Sequence, residues 1–196
     1  PALYTKKELE AKIKKYNKNN KLIYLSSRPH IENDTVFIGY NGWWNYKDEP
    51  FSYTEENLKY FKDWMPHLDI NDHKQFMHNV SIKSLIEYNY LKKYLEMYEN
   101  HSSIKNIVIV THTIPSTEFA TEQIPSGEIT KNYSYLLNTK FENISKKIYS
   151  KLKYWIFGHV HSQYNEIKNN IYYICNPRGR PEDYCRIDYK PLTLTI

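Results

Sequence analysis

The spacing of apolar side chains changes along this chain, and each change marks an element. Over residues 5 to 17, Leu9, Ile13 and Tyr16 recur on one helical face, and Thr5 and Glu8 are placed as a capping box. Residues 22 to 26, Leu-Ile-Tyr-Leu-Ser, predict a strand. A turn containing Pro29, Asn33 and Asp34 separates them from residues 35 to 40, Thr-Val-Phe-Ile-Gly-Tyr, as hairpin partner. Residues 54 to 64 read as a helix capped by Thr54, and residues 66 to 79 as polar and irregular. A second helix is predicted over 81 to 99 on Ile82, Leu85, Ile86, Leu91, Leu95 and Tyr98.

Farther on, Ile107-Val108-Ile109-Val110 is a continuous β-branched run, the pattern of a strand covered on both faces. A loop over 113 to 131, a helix over 133 to 150 and a second buried strand over 154 to 157 follow. Residues 171 to 175, 184 to 188 and 192 to 196 predict three more strands. This order predicts one α/β domain over residues 1 to 196, with layers of sheet and helix. Chemistry in such folds sits at the carboxyl ends of the strands.

Composition narrows the picture. The chain has 196 residues, of which 40% are hydrophobic and 25% charged, as in ordinary globular proteins. No apolar run approaches the roughly 20 residues of a membrane helix, and the lysine-rich opening is unlike a signal peptide, so a cytoplasmic location is expected. The net charge of +5 includes Lys12, Lys14, Lys15 and Lys18. It reads first as a solvated basic face, with attraction to a phosphate-bearing substrate or nucleic acid as the functional alternative. Cys175 and Cys185 are too few for a disulfide framework and are read as buried thiols.

The candidate chemistry lies in two loops. One buried strand runs into Val110-Thr111-His112-Thr113-Ile114-Pro115, the other into Gly158-His159-Val160-His161. Neutral imidazole is a common ligand for Zn, Fe, Mn and Ni. A Gly at 158 stands where the backbone must turn. On spacing alone, the three histidines are either metal ligands or polar residues satisfied at strand ends. His30, His67, His73, His78 and His101 lie in polar contexts and read as surface residues, with Asp69 and Asp72 near three of them.

These two loops resemble the fourth and fifth signature motifs of the calcineurin-like metallophosphoesterases. Cys175-Asn176-Pro177-Arg178-Gly179 resembles the Asn-Pro-x-Gly segment that follows in many bacterial members, and Ile38-Gly39-Tyr40-Asn41-Gly42-Trp43-Trp44 the strand and loop after the third motif. The four segments occur in the family's order. The resemblance implies a layered β-sandwich flanked by helices and two-metal hydrolysis of a phosphate mono- or diester. It implies that His112 and His159 bind one divalent ion (Mn, Fe, Zn or Ni) and His161 a second. Asn176 and Arg178 are candidate phosphate contacts, though Asn-Pro-Arg-Gly is also a good turn and Asn176 reads first as a turn residue. Trp43, Trp44 and Tyr46 either line a substrate cleft or pack the hairpin.

The family's first three motifs, Asp-x-His, Gly-Asp-x-x-Asp and Gly-Asn-His-Asp/Glu, are absent from the sequence. They carry the remaining ligands and the general acid, which is therefore expected upstream of Pro1. The chain is thus expected to be the carboxyl-terminal part of the fold, incomplete at its amino terminus and inactive without the missing segment, whether in the same or a second chain. Two other classes stay open: a non-catalytic module binding nucleic acid or a phospho-ligand, and a single structural zinc on the three histidines.

Overall fold

The buried β-branched runs assemble side by side. In the computed structural model, which describes residues 6–17, 23–26, 28–45, 73–120, 138–160, 162–179, 186–187 and 189–196, six strands form one sheet. They are β1 (His30–Glu32), β2 (Thr35–Tyr40), β3 (Asn106–Thr111), β4 (Leu152–Ile156), β5 (Tyr164–Lys168) and β6 (Ile171–Cys175). Their order is β1-β2-β3-β4-β6-β5. The four inner strands β2, β3, β4 and β6 are parallel, and β1 and β5 pair antiparallel at the edges. All four parallel strands therefore end on the same edge of the sheet.

A parallel sheet needs apolar cover. Helix α1 spans Lys6–Tyr16, α2 spans His73–Glu99 and α3 spans Phe141–Ser145, with a 3-10 turn at Thr117–Ala120. Helix α2 packs across β2 and β3. Val36 and Ile38 of β2, Ile107 and Ile109 of β3 and Trp155 of β4 are fully buried and share a core with Leu91 and Leu95 of α2. Each of those leucines contributes about 1.5–3 kcal/mol by leaving water.

The phase of α2 differs from the expectation. At about 100° per residue, Phe76, Ser84, Glu87, Leu91, Leu95 and Tyr98 all fall within about 60° of Val80. That stripe meets the sheet, with Phe76, Val80, Ser84, Leu91 and Leu95 fully buried. Ile82, Leu85 and Ile86 lie about 140–240° away and are 43, 45 and 48% exposed. The helix also starts at His73, inside the stretch read as irregular, because Phe76 and Val80 extend its buried face by two turns.

The hairpins differ too. Residues 23–26 contain a turn and no strand, and the partner of β2 is the three-residue β1. Asn33 makes the two-residue connection with φ 54°. Strand β5 was not expected. It joins β6 through Asn169 and Asn170 at φ 51° and 63°, the mirror-image turn that matches strand twist. Residues 189–196 form no strand; Thr195 instead offers its carbonyl to the Tyr154 hydroxyl at 3.2 Å. Of the helix expected over 133 to 150, the described residues retain Phe141–Ser145. Beyond it the chain straightens so that Ser150 and Lys151 reach Glu99. The helix expected over 54 to 64 and Cys185 lie outside the described residues, while Cys175 is buried, its thiol donating to the Val160 carbonyl at 3.5 Å. The class is α/β as expected: a mixed six-stranded sheet flanked by helices. A second sheet, as in a sandwich, is not among the described strands. No helix among the described residues is long and apolar enough to cross a membrane.

Candidate metal centre

His112 immediately follows β3, and the residues on both sides of it are fixed. The Trp155 indole N–H donates to Thr111 Oγ1 at 3.0 Å, and the Thr111 hydroxyl donates to the Thr113 carbonyl at 2.8 Å. The backbone N–H groups of His112 and Thr113 both donate to the Asn41 carbonyl, at 3.1 and 3.2 Å. The Thr113 hydroxyl donates to the Gly42 carbonyl at 2.5 Å. The loop that leaves β2 thus clasps the end of β3.

His159 reaches the same place from β4. Gly158 N–H donates to the His112 carbonyl at 3.0 Å. A Cβ at Gly158 would lie 3.4 Å from that carbonyl oxygen, an ordinary contact distance, so the two loops meet closely here. Val160 N–H then donates back to the Gly158 carbonyl at 2.8 Å, closing a three-residue turn with His159 at φ 68°. Such turns are rare and strained, and left-handed backbone costs a non-glycine residue about 1–3 kcal/mol. Strain of this kind persists where the surroundings enforce it, and here it swings one imidazole onto another.

The result is a pair of nitrogens. His159 Nδ1 lies 3.0 Å from His112 Nε2, with the rings edge-on at 86°. A proton shared between the two satisfies that distance. So does a metal ion: two nitrogens each about 2.0–2.1 Å from one ion, at tetrahedral or octahedral angles, stand roughly 2.9–3.4 Å apart. The pair fits two adjacent ligands of one ion. Beside it a cavity of about 320 Å³ opens between Tyr24 and Leu25 on one side and Tyr40, Asn41 and His112 on the other.

Glu87, on the buried stripe of α2, faces the same loop. Its Oε2 accepts the N–H groups of Gly42 and Trp43 at 2.8 and 3.0 Å. Burial pushes its carboxyl above the usual glutamate range, and the N–H groups of Trp43, Gly42 and Asn41 with the Lys83 charge only partly offset this. Gly42 sits at φ 73°, and a Cβ there would collide with Thr113 Oγ1.

The other candidates are distributed around this edge. Trp43 is half-buried between Trp44, 5.3 Å away ring to ring, and the Lys83 ammonium, 5.3 Å from its centroid. Trp44 is buried in the core. Asn176 and the exposed Arg178 follow β6, and the Asn176 amide donates to the Lys190 carbonyl at 3.0 Å. His161 and Tyr46 lie outside the described residues. Among the described residues no three His, Cys, Asp or Glu side chains converge as a metal site. His30 stacks on Phe37 midway along β2, His101 meets Ser103 at the opposite end of the sheet, and His78 is exposed.

A solved structure shares this fold. The phosphopantetheinyl hydrolase PptH from Mycobacterium tuberculosis superposes with a TM-score of 0.58 over 95% of this chain. The identity is 8%, so the likeness is one of fold, and this chain spans 65% of the length of that one. No family model and no curated protein matches the chain.

Sequence reasoning missed Glu87, Asn41 and Gly42. A signal for Glu87 exists: it is the acidic position within the stripe that Phe76, Val80, Leu91 and Leu95 define.

Proposed function

We propose that this chain carries the histidine-bearing part of a metal-dependent phosphoester hydrolase of the calcineurin-like kind. The observation that carries the reading is the 3.0 Å approach of His112 Nε2 and His159 Nδ1 at the carboxyl ends of adjacent parallel strands. The four motif-like segments support it, as does the hydrolase name of the structure that shares its fold. In this reading His112 and His159 hold one divalent ion and His161 a second, of Mn, Fe, Zn or Ni. Such ions, when bound, would supply Lewis-acid polarisation of a phosphoryl oxygen and would lower the pKa of a bound water. The chain's own part is to present two neutral imidazoles at fixed separation, with the Asn41 carbonyl and Gly158 N–H holding the backbone of His112. Two nitrogens are two of the three or four protein ligands such an ion takes; the rest would come from outside the described residues. Arg178 is the candidate phosphate contact, the substrate a phosphate mono- or diester, and the location cytoplasmic.

The test uses the protein at its full genomic length. Chelation should abolish release of p-nitrophenol from its phosphoesters, and added Mn should restore it. His112→Ala and His159→Ala should each lower kcat/KM by more than the roughly 100-fold that follows loss of an outer-shell partner. Full activity in either variant sinks the reading. Chelator-resistant nucleic-acid binding that weakens steeply with salt would mark a binding module instead.

A further inference from the structure

We infer that Glu87 is a positioning residue for His112, acting through the loop of residues 41–43; the inference rests on the proposed metal-binding role of His112 and His159. A carboxylate on the sheet-facing stripe of a helix is unfavourable unless it finds donors. Glu87 finds them in the Gly42 and Trp43 N–H groups, both on Oε2. Lys83, one turn earlier on α2, adds its charge nearby and lies over the Trp43 ring.

The loop is gripped from two sides. Its N–H groups go to α2 through Glu87. Its carbonyls go to the end of β3: Asn41 C=O takes the His112 and Thr113 N–H groups, and Gly42 C=O takes the Thr113 hydroxyl. The left-handed Gly42, packed against Thr113 with no room for a Cβ, prevents the loop from sliding. Helix α2, the loop and His112 therefore form one continuous set of hydrogen bonds. Loss of Glu87 leaves two N–H groups without their acceptor and frees the Asn41 carbonyl to move. The His112 backbone then loses the loop's restraint, while its tie to Gly158 remains. An imidazole lone pair is directional, so a small shift of the His112 backbone misaligns Nε2 while the core beneath stays intact.

Glu99 supplies the control. It lies on the same helix and accepts the N–H groups of Ser150 and Lys151 at the other end of the sheet. In the full-length protein, Glu87→Ala should weaken Co²⁺ or Zn²⁺ binding by about 10–100-fold. Glu87→Gln, which keeps an acceptor oxygen at the same reach, should restore most of it. Glu99→Ala should lower the melting temperature and leave metal affinity unchanged. Equal effects of Glu87→Ala and Glu99→Ala on affinity, or failure of Gln to rescue, would overturn the assignment. Where Glu87→Ala does not fold, Glu87→Asp keeps the charge, shortens the reach and should move the same readout; unchanged affinity overturns the inference. If the wild type binds no metal, the functional reading fails and the inference is judged on the ring ¹⁵N shifts of His112 and His159. Those should move in the Ala or Asp variant and return in Gln; shifts identical to wild type reject it.

Discussion

The two ends of the central strands are each tied to α2 by a glutamate that accepts backbone N–H groups, but in different surroundings. At the amino end, Glu99 takes the Ser150 N–H and hydroxyl at 2.6 and 2.7 Å and the Lys151 N–H at 3.2 Å. Burial pulls its carboxyl up, but those bonds and the Lys151 charge prevail and hold it below the usual range. Close by, Lys105 and Asp34 pair at 2.9 Å across exposed surface. At the carboxyl end, burial prevails for Glu87 and its carboxyl is raised. Here too stand left-handed Gly42 and His159. Elsewhere among the described residues, left-handed non-glycine backbone falls on asparagines, which tolerate it. The amino end is built from groups at ease in their charge states and conformations; the carboxyl end holds groups that are not. Proteins tolerate such strain mainly where function requires it.

The sharpest way to break this contrast is Gly42→Ala. A left-handed alanine costs about 1–2 kcal/mol, and displacing the buried Thr113 hydroxyl costs about 1–3 kcal/mol more. Chemical denaturation should therefore show a loss of about 2–5 kcal/mol, together with weakened metal binding. A loss below about 1 kcal/mol would mean that the loop relaxes freely and does not hold His112.

Much of this was legible in the sequence, for physical reasons. The β-branched run at 107–110 gives a strand with Ile107, Val108 and Ile109 buried on both faces, and the aromatic run at 154–157 one that buries Trp155 and Phe157 on one face. His112 and His159, which follow them, come together because parallel neighbours end on one edge. The phase of α2 was not legible, because Ile82, Leu85 and Ile86 compete as an apolar face and only the sheet selects the other one. Strand β5, Tyr-Asn-Glu-Ile-Lys, is too polar to announce itself and exists through its Asn169-Asn170 hairpin with β6. Glu87 drew no attention because its inward direction depends on that helix phase. The grip of Asn41 on β3 joins residues about seventy apart, and no local pattern carries that.

The next prediction sets the two glutamates against each other by pH. Glu99 is held below the ordinary glutamate value of 4.5, so its stabilisation is present above pH 4.5 and is lost as pH falls through its lower folded value. Glu87 is raised above 4.5, so its contribution is present below pH 4.5 and is lost as pH rises through its higher folded value. Stability measured against pH for Glu99→Gln should therefore flatten on the acid side of 4.5, and for Glu87→Gln on the other side. Difference curves of the same sign would show that the two ends are not distinct.

The smallest effect is expected from His159→Asn, and it bears most directly on strain. At φ 68° the histidine carries about 1–3 kcal/mol that asparagine largely avoids. The substitution also removes the 3.0 Å bond to His112, a loss of about 0.5–1.5 kcal/mol. The two terms oppose each other, so unfolding free energy should fall by no more than about 0.5 kcal/mol and can rise by up to about 2.5 kcal/mol, while metal binding is lost. The reverse exchange, Asn169→His in the β5–β6 turn, places the same ring in the same backbone region with no ligand role, and should lower stability by about 1 kcal/mol or more. If His159→Asn destabilises more than Asn169→His, the imidazole pair itself holds the carboxyl end together and the turn at His159 is a consequence of it. If the order is as expected, the turn is imposed by the Gly158 and Val160 backbone bonds, and the strained histidine is kept for what its nitrogen can hold.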